Sequence, residues 1–385
     1  MIRKALVIGI HPWHSPLQVG SHAIARQLAA TGWKVAYVSA PITPFHWLRP
    51  NQAGFRERLA IHRRGGDFDA LAKVWHYVPF ALLAPDHRPM FNSRWMFEHW
   101  QRTSLPDVAR HVAAHGFGDV DLLLLNSHFQ PFWLEAIRFR RSVYRLADLN
   151  AGFPGYGPSA SKVETALARR VDLVVTAAHT LVEQARRMGA REVMALPNGI
   201  AFQDFAQRPA EPPPEYRAMR GPIAVYVGAI GGWIDLALIR HCALQLPHVQ
   251  FVLIAPTEGL EGRWTAMPNV HPIGARPRSS LPAYLHYAQV GLMPFDREAY
   301  PQLVDHVHPL KLYEYLACGL PVVSTDWAEL HQFPHPAVMC GNASEFAQAL
   351  SNAISSPGTA SERVACASQA DWSRQVERLL ARVAL

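Results

Sequence analysis

A chain of 385 residues is longer than one ordinary hydrophobic core supports, and 49% hydrophobic against 17% charged residues excludes a disordered chain while supplying two cores. The formal net charge of +7 points to an anionic partner, yet no compact Lys/Arg run or zinc-finger spacing accompanies it, which argues against nucleic acid. The four cysteines, Cys242, Cys318, Cys340 and Cys366, are scattered without a C-x-x-C pair, so reduced thiols in a cytoplasmic protein are expected, and no metal motif.

The opening apolar stretch at residues 5–10 is too short for a signal peptide, and no later segment reaches the roughly 18 apolar residues of a membrane span. From there, apolar runs of strand length alternate with segments of helical period, the signature of βαβ units and parallel sheets. Strands are expected at 5–10, 35–39, 74–78, 122–125, 142–146, 173–176 and 193–196, and helices at 21–30, 106–114, 161–170 and 180–188. Residues 207–222 contain Arg208-Pro-Ala-Glu-Pro-Pro-Pro-Glu215, too rich in proline for helix or central strand, and read as an interdomain linker or a surface loop.

The alternation then restarts, with strands expected at 223–227, 251–254, 270–273, 290–293 and 322–325 and helices at 234–244, 281–287 and 309–318. The fold class is therefore α/β, two doubly wound Rossmann-like domains at 1–206 and 223–360, with ligands expected in a cleft at the carboxyl ends of both sheets. The last helical period, 361–385, carries Val364, Trp372, Val376, Leu379 and Val383 and is expected to pack back on the first domain.

The densest signal is Asp305-His-Val-His-Pro-Leu-Lys-Leu-Tyr-Glu-Tyr-Leu-Ala-Cys-Gly-Leu-Pro321. Pro309 suits a first helical position, Gly319 a left-handed cap and Pro321 a stop, which brackets about three turns of helix. Lys311 in the first turn opposes the helix dipole, and His306 and His308 precede it. Either an anion binds there, or Lys311 pairs with Glu314 three residues on. Gly228-Ala-Ile-Gly-Gly-Trp-Ile-Asp235 follows a strand, as a phosphate-cradling turn or a plain tight turn would; Asp235 is either a helix cap or a ligand contact. Arg276 and Arg278 sit in a loop at a strand's carboxyl end, where arginines hold a nucleotide or simply face solvent. In the first domain Asp148 ends a strand, placed as a general base or as a cap, and His11 and His14 are the rival bases. Residues 45–64 interleave aromatic and basic side chains, as an interfacial segment or a solvated loop does.

Taken together, Pro197-Asn-Gly-Ile200, Val227-Gly228 and the 309–321 segment, which fits P-x-K-x-x-E-x-x-A-x-G-x-P at every fixed position, resemble glycosyltransferases of the GT-B fold, family 4 type. Tyr144-Arg-Leu-Ala-Asp148 is similar to the Y-R-x-x-D segment of bacterial exopolysaccharide and teichuronic-acid transferases and the xanthan-type glucuronosyltransferase. Two departures stand out. His306 replaces the first glutamate of the E-x7-E pattern, and Trp233, Ile234 and Asp235 stand where Arg or Lys is usual.

The resemblance implies transfer of a sugar, with UDP-sugars favoured and a uronic acid among them, to a glycan or polyprenyl-diphosphate-linked acceptor in exopolysaccharide or envelope synthesis. It implies an acceptor-binding first domain and a donor-binding second domain. Glu314 would hold the ribose and Lys311 the diphosphate, with Gly228, Arg276, Arg297 and His306 lining the donor site and Asp148 as base. No metal and no cofactor are expected, and membrane contact would be peripheral, at the inner face. A GT-B sugar-nucleotide epimerase and a non-catalytic nucleotide-sugar-binding partner are the alternatives.

Overall fold

Runs such as Leu122 to Leu125, apolar on both sides of the pleat, are stable only when both sheet faces are covered, and all four residues are fully buried. The computed structural model of the protein describes residues 2–15, 18–48, 54–85, 91–152, 156–256, 260 and 266–385. It divides into two units, Met1–Pro197 with Gln375–Leu385, and Asn198–Arg374.

In the first unit the strands are β1 (Lys4–Ile8), β2 (Lys34–Val38), β3 (Asp67–Asp69), β4 (Val74–Tyr77), β5 (Asp119–Leu125), β6 (Arg138–Leu146), β7 (Leu173–Thr176) and β8 (Val193–Ala195). Their spatial order is β3-β4-β2-β1-β5-β6-β7-β8, parallel except for the β3–β4 pair. The chain runs outward from β1 to one side and from β5 to the other. The crevice beyond the carboxyl ends of β1 and β5 is therefore the switch point, where doubly wound sheets bind ligands.

The second unit repeats the plan with β9 (Ile223–Val227), β10 (Gln250–Ile254), β11 (Val270–Pro272), β12 (Val290–Met293), β13 (Val322–Thr325) and β14 (Val338–Cys340). The order β11-β10-β9-β12-β13-β14 is parallel throughout, with its switch point between β9 and β12.

Several elements differ from expectation. Edge strands β3 and β14 and the helices Phe55–Arg63, Arg94–His99 and Ala343–Ser355 were not anticipated. The proline-rich stretch 207–222 lies in the second unit, because Phe205 before it and Tyr216 within it are buried in that unit's core. The last helical stretch breaks into Ala360–Gln369 and Trp372–Val383. At the break Asp371 accepts a hydrogen bond from the Phe202 N–H at 3.0 Å. Residues from Gln375 onward belong to the first unit, where Val376 and Leu379 are fully buried and Arg141 Nε donates to Val383 O at 3.3 Å. All four cysteines are free thiols.

Candidate active site

At the second switch point the chain leaves β9 through Gly228, whose φ is +141°. A Cβ at this position would lie 2.1 Å from Lys311 Cε and 2.6 Å from its Nζ, so the lysine side chain rests directly on the glycine backbone. Only glycine permits both the conformation and the approach. Lys311 stands in the first turn of the helix Leu310–Ala317, with Pro309 as the residue before the helix rather than its first member. Two turns form instead of three, and the end is as expected. Gly319 has φ +71°, its N–H donates to Leu316 O at 2.9 Å, and the Leu320 N–H donates to Tyr315 O at 3.0 Å. Tyr315 fixes the helix to the sheet, accepting from the Val227 N–H at 3.0 Å and donating to Leu292 O at 3.4 Å. Burial lowers the pKa of Lys311, and the Glu314 carboxylate acts in the opposite sense.

Glu314 is 5% exposed and takes Arg278 Nη1 at 2.7 Å. Its ion partner is thus an arginine from a neighbouring loop, not Lys311. Arg276, two residues earlier, turns the other way: Nη2 meets Glu215 at 2.7 Å and Nε donates to Tyr284 Oη at 3.0 Å. Sequence reasoning named both arginines as candidates and assigned the donor site to Arg276, since nothing in the spacing shows that Pro277 and the turn Arg278–Ser280 aim the two guanidiniums apart. Arg297 Nε pairs with Asp305 at 2.8 Å. His306 is half-buried in the turn before the motif helix, its N–H directed to Leu303 O at 3.4 Å. His308 is a core residue, 4% exposed, with Nδ1 2.8 Å from Glu329 and Nε2 3.0 Å from the Tyr313 hydroxyl. Asp235 caps the helix Leu236–Gln245, accepting from the Leu238 N–H at 2.7 Å.

In the first unit Asp148 lies just past β6 and is solvent-accessible. The protein mass around it nevertheless raises its pKa, and the Arg145 guanidinium pulls it back down. Arg145 is 2% exposed; it donates to Asn126 Oδ1 at 3.1 Å, and burial brings its own pKa down to about 10. Glu164, on the helix Pro158–Arg170, anchors both sides of the Asp148 loop. It accepts from Tyr144 Oη at 2.5 Å, from Asn150 Nδ2 at 2.5 Å and from the Tyr156 hydroxyl. Sequence reasoning missed Glu164, although its place in the buried stripe Ala160, Val163, Glu164, Leu167 is a readable signal. His11 is half-buried, its pKa lowered by burial and then by Arg58, and His14 is exposed with its ring centre 4.8 Å from that of His76 in an edge-to-face pair. Of the aromatic and basic segment 45–64, residues 49–53 lie outside the described residues; Trp47 is 45% exposed.

Residues 7–177 match the family described as glucuronosyltransferase GumK, N-terminal domain, and residues 221–356 match glycosyl transferases group 1. A putative teichuronic acid biosynthesis glycosyltransferase, TuaH of Bacillus subtilis (strain 168), is 28% identical over 210 residues, 52% of this chain and 48% of the relative, so the chain spans about half the length of the curated relative it matches. Among solved structures, sucrose-phosphate synthase from Thermosynechococcus elongatus superposes with a TM-score of 0.68 at 17% identity, over 99% of this chain and 98% of that one. Anabaena HepE in complex with UDP gives 0.67 at 15% identity over 100% of both chains. These structural likenesses establish the fold. Residues 7–177 are thus similar to a GumK-type N-terminal domain and residues 221–356 to a group 1 glycosyl transferase domain, the two carried on a GT-B fold.

Proposed function

We propose that the protein transfers a sugar from a nucleoside diphosphate donor, a UDP-sugar, to a hydroxyl of a glycan or polyprenyl-diphosphate-linked acceptor in exopolysaccharide or cell-envelope polysaccharide synthesis. The observation that carries the reading is the Lys311 side chain laid over Gly228 at the second switch point, with Glu314 one turn further along the same helix face. As the glycosidic bond breaks, negative charge builds on the departing diphosphate. The Lys311 ammonium and the free N–H groups of the helix stabilise it in place, without reorganisation during the reaction. Glu314 holds the ribose hydroxyls, since a carboxylate accepts two hydroxyl hydrogen bonds, and Arg278 keeps that carboxylate oriented. Gly228, Arg297 and His306 complete the donor side, while Arg276, turned to Glu215 and Tyr284, stands apart from it. A uronic acid donor is favoured by His306 standing where the family uses an acid, with Arg297 nearby but paired to Asp305.

On the first domain Asp148 removes the acceptor hydroxyl's proton as it attacks the anomeric carbon with inversion. A carboxylate of raised pKa is the stronger base. Because it acts deprotonated, kcat/KM falls as the pH drops through that pKa, above the ordinary aspartate value of about 3.9. Asp148→Asn is expected to be nearly inactive and the wild-type product to have the inverted anomeric configuration by NMR. An inverted product from an active Asp148→Asn removes the aspartate from this role and leaves His11 and His14 as the bases, and a retained configuration removes the inverting step itself.

Peripheral contact with the inner face of the membrane is part of the reading, supported by exposed Trp47 beside the basic helix Phe55–Arg63. No helix among the described residues is long and apolar enough to cross a membrane. Co-sedimentation with anionic but not neutral vesicles is expected, and absence from both pellets counts against the contact.

A further inference from the structure

A cavity of about 410 Å³ opens in the first unit at the carboxyl ends of β1, β2 and β5, its floor made by His11, Ala40, Pro41, Ser127 and Gln130. This is the switch point of the first sheet, the place the topology reserves for a ligand, and the volume suits a small molecule or one segment of a larger one. Phe45, Phe91, Trp100 and Phe129 supply apolar wall.

Arg58 also lines the cavity, reaching it from the helix Phe55–Arg63. Its Nη2 donates to Pro41 O at 3.1 Å and Ala40 O at 3.4 Å, while its Nε is buried without a hydrogen-bond partner among the described residues. Carbonyl oxygens fix a guanidinium in place without neutralising it. None of the described residues lining the cavity is acidic. The contrast with the second unit is plain, where Arg276, Arg278 and Arg297 each hold a carboxylate at 2.7, 2.7 and 2.8 Å. With no acidic partner among the described residues, this half-buried cation is unfavourable until an anion completes it. Burial and then the Arg58 charge lower the pKa of His11, which favours the neutral imidazole beside the guanidinium, a hydrogen-bonding group that adds no charge.

We propose that this cavity binds an oxyanion carried on a body with an apolar face, Arg58 being the counter-ion and the aromatic wall receiving the body. The assignment rests on the transferase reading for its biological sense: the anion then belongs to the acceptor, as the phosphate of a prenyl lipid or the carboxylate of a sugar acid.

Calorimetric titration of the full chain with farnesyl phosphate and, separately, with methyl β-glucuronide tests it. Wild type is expected to bind at least one of them. Binding of farnesyl phosphate alone assigns the anion to a lipid, and binding of the glucuronide alone to a sugar acid. Arg58→Gln is expected to weaken that binding about tenfold or more, the weight of a charged hydrogen bond, while Arg58→Lys retains most of it. Circular dichroism and the thermal midpoint of each variant check that the first domain is folded. Binding of neither probe to wild type, or equal binding by wild type and Arg58→Gln, overturns the assignment. If the probes bind through Arg58 but no nucleotide sugar is turned over, the transferase reading fails and the anion site stands.

Discussion

Lys311 and Gly228 occupy one space between them, and that packing is the most exacting feature of the donor side. Gly228→Ala would set a methyl 2.1 Å from Lys311 Cε at a φ of +141°, so the lysine must leave or the turn must rearrange. Backbone strain of this kind costs on the order of 1–3 kcal/mol, and the displaced ammonium costs turnover in addition. Gly228→Ala is expected to keep native circular dichroism and lose about tenfold or more in kcat; wild-type kcat would contradict the contact. That Lys311 and Glu314 share a helix face was legible in the sequence, because a helical period of 3.6 puts residues three apart on one face, whereas their roles came only from the resemblance. The direction in which a loop side chain turns was not. Arg276 and Arg278 look equivalent as letters, yet one closes a cluster with Glu215 and Tyr284 and the other reaches Glu314. His308 likewise reads as a neighbour of the anion site and folds into the core against Glu329 and Phe333.

Among the elements, the loop after β1 is held by a cluster of rings whose protonation state matters for stability. Trp13 lies 5.2 Å from Tyr37, 5.7 Å from His22 and 6.2 Å from His76 by ring centres. His22 Nδ1 accepts from the Val19 N–H at 3.2 Å and Nε2 faces Pro12 O at 3.0 Å, an arrangement that needs a neutral imidazole. Burial pushes both His22 and His76 down to about 4. Between the unfolded value near 6.5 and about 4 the unfolded chain binds more protons, so stability is full above pH 6.5 and falls as the pH drops. Each histidine contributes up to about 1.4 kcal/mol per pH unit in that window. The urea midpoint of the first domain is expected to decline steadily from pH 7 to pH 5, and a flat midpoint would contradict neutral burial.

Strands such as β7, β9, β12 and β13 were readable to the residue, since continuous apolar runs have no other stable place. Strand β3, Asp67-Phe68-Asp69, is too short and polar to announce itself and exists only by antiparallel pairing with β4. The helix Ala343–Ser355 carried a usable signal in its N-cap asparagine and the glutamate three residues on. There Asn342 accepts from the Glu345 N–H at 2.9 Å and Glu345 accepts from the Gly341 N–H at 2.8 Å.

For the whole molecule, two doubly wound sheets each present a switch point, one bearing Gly228 with Lys311 and the other bearing the Arg58 cavity. The two-domain plan followed from the βα alternation. The boundary did not, because proline-rich composition marks where helix and strand stop and not which core a segment such as the one around Tyr216 joins. Sugar transfer assisted by Lys311 is tested most directly by turnover of a nucleotide-sugar panel, pairing each uronic acid with its neutral parent, in wild type and Lys311→Ala, with and without chelator. Acceptor-dependent release of nucleoside diphosphate is expected from a UDP-sugar, with the uronic acid preferred and chelator without effect. Lys311→Ala is expected to lower kcat by about 10²–10³-fold. Turnover by Lys311→Ala equal to wild type, or release of nucleotide that does not depend on an acceptor, would contradict it.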